Sequence, residues 1–119
     1  MVWRSTLMET KMAIPRSKAR MKRATSHPGR VLYYEYMEPL NLTAGALAKA
    51  MGLSGRQRIE RLVREEQAVT ADTALRLARV FPNTSPEFWL SLQSSHDLTR
   101  TQLELGAQLK KIEPIAADA

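Results

Sequence analysis

Ala48, Gly52, Ile59 and Leu62 set a spacing that a helix-turn-helix needs, although any two short helices with a glycine between them can share it. A small residue, a glycine four positions on, and then two apolar residues three apart suit two short helices that cross at close range. The small side chain lets the second helix approach. The glycine takes the left-handed conformation that ends the first helix. The two apolar residues hold the second helix over a core. These roles predict a helix capped by Thr43 and ended by Gly52, a turn through Leu53, Ser54 and Gly55, and a second helix from about Arg56 to Glu65. The interval from Gly52 to Ile59 is one residue longer than the commonest arrangement, so a slightly expanded turn is expected. The pattern is that of a helix-turn-helix.

The flanking sequence extends this into an all-α, five-helix domain. Pro28 suits the first turn of helix 1. Val31, Leu32, Tyr34, Tyr36 and Met37 give that helix a broad apolar face that ends before Pro39. Leu47, Ala48 and Met51 make one buried stripe on helix 2. Ile59, Leu62 and Val63 point inward from helix 3. Thr70 caps helix 4, with Asp72 in its first turn and Ala74, Leu75, Leu77, Ala78 and Phe81 on its apolar side. Ser85, Pro86 and Glu87 open helix 5, from which Phe88, Trp89 and Leu92 face one way. Fraying is expected near Ser94 and Ser95, with a weaker helical segment through Leu98, Leu103 and Leu105. No strand pattern or internal repeat appears.

Charge divides the chain more sharply than hydropathy does. Residues 1–26 hold seven basic residues against Glu9 alone, which accounts for the whole net charge of +6. Residues 27–119 balance to zero. The domain organisation expected is a disordered basic tail over 1–26, a helix-turn-helix domain over 27–105 and a loose C-terminal tail over 106–119. Met8, Met12 and Met21 offer alternative starts within the first of these. No apolar run approaches the roughly 20 residues that span a bilayer, and the first residues are not expected to act as a secretory signal. With no cysteine, disulfides and thiolate zinc sites are excluded. A cytoplasmic protein without membrane association is the expectation.

Because the domain is neutral, nucleic-acid binding has to rest on local charge. Helix 3 supplies it. Arg56, Arg58, Arg61 and Arg64 crowd a helix whose apolar face is already assigned. Arginine takes guanine O6 and N7 bidentately or pairs with phosphate, and glutamine reads adenine. Ser54, Arg56, Gln57, Arg58 and Arg61 are the expected readers, with Arg64 and Thr43 nearer phosphate. A solvated helix face is the competing interpretation, through an Arg61–Glu65 pair at i,i+4. His27 and His96 have no acid or serine at a spacing that suggests a triad or a metal site, so no catalytic residue, metal or cofactor is expected. His27 reads as a cap for helix 1. Phe88, Trp89 and Leu92 read as core or as the dimer interface.

Several strings together resemble HigA-type antitoxins, the plasmid-maintenance antidote family. They are His27-Pro28-Gly29, Leu47-Ala48, Gly52-Leu53-Ser54, the run from Thr70 to Arg79, the run from Ser85 to Gln93, and Asp97-Leu98. The resemblance covers about residues 27–98. It implies a repressor-like five-helix domain, a homodimer, binding to double-stranded operator DNA at the protein's own promoter, and neutralisation of an mRNA-cleaving HigB-type toxin. Two features depart from the family: the long basic tail, and Glu65 where many members carry glycine. A stand-alone repressor without a toxin, and a protein-interaction module with little DNA binding, are the alternatives.

Overall fold

The computed structural model describes residues 25–115. Most of the basic tail expected over 1–26 and the end of the C-terminal tail expected over 106–119 fall on 1–24 and 116–119, outside the described residues. Five helical elements follow in order, with no strand among the described residues. We label them α1 (Pro28–Val31, continuing as Leu32–Met37), α2 (Ala44–Ala50), α3 (Gln57–Val63), α4 (Ala71–Val80) and α5 (Pro86–Lys110).

Four of the five helices start on a side-chain cap. His27 Nδ1 accepts from the Gly29 N–H at 2.9 Å. Thr43 accepts from Ala46 at 3.0 Å, Thr70 from Thr73 at 3.3 Å and Ser85 from Phe88 at 3.0 Å. Only α3 opens without one, on Arg56. In each case the cap satisfies an amide that has no partner inside the helix.

Three helices end in the same way. Asn41, Gly52 and Glu65 take φ of 54°, 78° and 63°. Each is followed by an amide that reaches back to a carbonyl in the last turn: Leu42 to Met37, Leu53 to Ala48 and Glu66 to Arg61. This is the Schellman arrangement. Glu65 therefore does the work of a glycine, and α3 ends where a glycine would have ended it.

The core is Leu32, Met37, Leu47, Ala48, Met51, Ile59, Leu62, Val69, Ala74, Leu77, Phe81 and Trp89. Trp89 is 0% exposed and donates its Nε1 proton to Thr84 Oγ1 at 2.9 Å. Tyr36, Phe81 and Phe88 ring it at centroid distances of 5.3, 6.5 and 5.1 Å. Gln93 closes a gap between elements: its Oε1 accepts from the Val69 amide at 2.8 Å, and its Nε2 donates to Asp97 at 3.0 Å. Gly29 lies against the Leu62 carbonyl, where a Cβ would overlap it. That close approach lets α1 pack on the end of α3.

Three expectations are corrected. Tyr34 does not join the face of α1; it is 46% exposed and stacks edge-on with Tyr33. The second half of α1 is π-helical, with Glu38 N–H bonding to the Tyr33 carbonyl. Residues five apart, Leu32 and Met37, then share the inner face. Leu75 is 57% exposed and does not line the apolar side of α4. Nor does α5 fray at Ser94 and Ser95: it runs unbroken to Lys110. The hydroxyls of Ser91 and Thr99 fold back on Phe88 and Ser95 carbonyls instead of competing with the helix.

Candidate nucleic-acid interface

Ile59 and Leu62 are fully buried, which fixes the rotation of α3 about its axis. Helical spacing then sets Gln57, Arg61 and Arg64 opposite them, with Arg58 on the flank toward α4 and Arg56 on the other flank. The four arginines therefore spread over three edges of the helix and do not form one ridge.

Their partners differ. Arg56 Nε pairs with Glu60 at 2.9 Å, and Arg64 lies 3.5 Å from Glu66. Both arginines are largely exposed, and such pairs contribute about 0–1 kcal/mol. The Arg61 side chain is exposed and makes no hydrogen bond or ion pair among the described residues. The Arg61–Glu65 pair of a solvated helix face does not form, because Glu65 leaves the helix with φ of 63°. Gln57 and Ser54 are exposed, and Thr43 is exposed with its hydroxyl committed to the cap.

Arg58 is held. Its Nη1 donates to Asp72 Oδ1 at 2.7 Å and to Thr73 Oγ1 at 3.3 Å. Arg76 donates from Nε to the same Asp72 oxygen at 2.7 Å and from Nη1 to the Met51 carbonyl at 2.7 Å. Hydrogen bonds from Arg76 and then Arg58 hold the Asp72 carboxyl below its ordinary value. Gly52, Leu53, Ser54, Gly55, Gln57, Arg58 and Arg76 line one open groove. The structure thus brings Ser54, Gln57 and Arg58 together and adds Arg76, which the sequence pattern missed. The i,i+4 spacing of Asp72 and Arg76 was the available signal; the link from Asp72 to Arg58 spans two helices and left none.

Of the expected dimer residues, Phe88 and Leu92 are half-buried against the core. Trp89 has no surface to offer a second chain and belongs to the core. Among the described residues no cluster of histidine and acidic side chains could hold a metal, and no helix is long and apolar enough to cross a membrane.

A family model described as helix-turn-helix matches residues 34–89. Virulence-associated protein I of Dichelobacter nodosus is 41% identical over 91% of this chain and 95% of its own length. Antitoxin HigA-1 of Vibrio cholerae is 36% identical over 79% of this chain and 87% of its own. The structure of Pseudomonas aeruginosa antitoxin HigA with the higBA promoter matches at a TM-score of 0.70 and 36% identity, covering 76% of this chain and 97% of that one. The chain belongs to the HigA-type antitoxin family. As a HigA-type protein it carries a DNA-binding helix-turn-helix, formed by α2, the turn at Gly52 and α3.

Proposed function

We propose that the protein binds the operator of its own promoter as a homodimer, represses transcription there, and neutralises an mRNA-cleaving HigB-type toxin in the cytoplasm. One observation carries the DNA reading: α3 is anchored by fully buried Ile59 and Leu62 and turns Gln57, Arg61 and Arg64 to solvent beside a groove lined by Ser54 and Arg58. In the major groove this helix presents Ser54, Arg56, Gln57, Arg58 and Arg61 to base edges. Arg64 and the Thr43 end of α2 lie toward phosphate.

One such helix reads only a few base pairs, so specificity calls for two copies set about one helical turn, ~34 Å, apart. The surface for pairing is the second half of α5. Leu98, Leu103 and Leu109 are exposed there, with Leu105 half-buried. Phe88 and Leu92 lie on the same helix, nearer its start.

Anisotropy titration of the full chain with a duplex from upstream of its own gene, and with a shuffled duplex, tests the repressor function. Tight, selective binding with a dimer mass is expected; equal affinity for both duplexes overturns it. Co-expression with the toxin-like reading frame beside the gene tests the antitoxin function. Restored growth is expected, and growth arrest unchanged by the antitoxin overturns it.

A further inference from the structure

Asp72 stands in the first turn of α4, bonded to Arg58 and Arg76 of the groove lining, yet it is an acid beside a surface proposed to meet DNA. A carboxylate there repels every phosphate equally. Its bonds give a reason for its presence. A single oxygen, Oδ1, receives Arg58 from α3 and Arg76 from α4, both at 2.7 Å. Arg76 in turn holds the Met51 carbonyl at 2.7 Å, next to the turn glycine. The end of α2, helix α3 and helix α4 are thus linked through two side chains, Asp72 and Arg76.

The consequence for Arg58 is directional. A free arginine samples many rotamers and pairs with any phosphate it reaches. With Nη1 committed to Asp72 and Thr73, Nε and Nη2 are the remaining pair of donors, and two parallel donors match guanine O6 and N7. Neutralising Asp72 frees two cations at once and removes one repulsive charge.

We infer that Asp72 is a positioning residue for operator reading: it restrains Arg58 and Arg76, lowering affinity for DNA in general and raising discrimination between sequences. This rests on α3 being the reading helix, and the measurement separates the two.

The full chain, Asp72→Asn and Asp72→Glu are titrated by anisotropy against a duplex from upstream of the gene and a shuffled duplex, over a series of salt concentrations, with melts alongside. Asp72→Asn is expected to bind the shuffled duplex roughly 3- to 10-fold tighter, with the slope of log affinity against log salt steeper by about one. Its preference for the upstream duplex falls about tenfold, as for loss of one fixed base contact. Asp72→Glu keeps the charge and most of the preference. A structural role alone would weaken both duplexes together, and that result, or an unchanged preference, overturns the role of Asp72. A wild-type chain that does not distinguish the duplexes overturns the reading of α3, and the role of Asp72 with it. Should Asp72→Asn unfold, Asp72→Ser, which keeps a first-turn acceptor, is judged by the same criteria.

Discussion

Ile59 is 0% exposed, and its side chain is what keeps the outer face of α3 outward. Replacing it with alanine removes contacts on every side and leaves a cavity. Ile59→Ala is expected to cost about 2–5 kcal/mol in denaturant unfolding. Glu65 shows the opposite case. A non-glycine residue at φ of 63° pays a steric penalty that glycine avoids. Glu65→Gly is therefore expected to raise stability by about 1 kcal/mol in the same assay, with α3 ending at the same residue. Residues whose roles are settled within one turn of chain were legible in the sequence: Thr43, Thr70 and Ser85 all cap as their positions predict. Gly29 and Asp72 were not, because their roles depend on Leu62 and Arg58, which the fold brings in from far along the chain.

At the scale of elements, the same division holds. Every helix was visible in its apolar spacing, and all but α3 in a side-chain cap as well. The turn of α1 that widens to π-helix was not, since it changes the period on which such spacing is judged. The continuity of α5 was hidden by Ser94 and Ser95, which the helix carries at exposed positions without a break.

The junction of α1 with α5 carries a pH dependence. His27 is buried, caps α1 with Nδ1, and meets the His96 ring at 5.0 Å. Burial and then the neighbouring His96 lower its pKa, as does Arg100, while Glu65 and Asp97 act the other way. The unfolded chain titrates this histidine near its ordinary value of 6.5. Below that pH the unfolded state binds the extra proton first, so stability is full above about pH 6.5 and falls as pH drops toward the folded value. Melting temperature is expected to hold above about pH 6.5 and to decline as pH falls below it. His27→Asn, which keeps an acceptor for Gly29, should flatten the decline. Further along α5, Leu103→Glu is expected to convert a dimer to a monomer by light scattering without lowering the monomer's helix content.

For the whole molecule, charge is partitioned between tail and domain. All of the excess of +6 lies in residues 1–26, while under the proposed function the domain reads DNA through a few placed arginines. Deleting residues 1–24 should flatten the salt dependence of binding and leave the preferred sequence unchanged.

The most direct test of DNA reading by α3 is the affinity of Arg56→Ala, Arg58→Ala, Arg61→Ala and Arg64→Ala for the upstream and shuffled duplexes, with melts beside each titration. The first three are expected to lose about 1–3 kcal/mol on the upstream duplex and to relax preference at one position per half-site. Arg64→Ala should weaken both duplexes alike. Folded variants at 56, 58 and 61 that keep full affinity and selectivity would show that another part of the molecule reads the DNA.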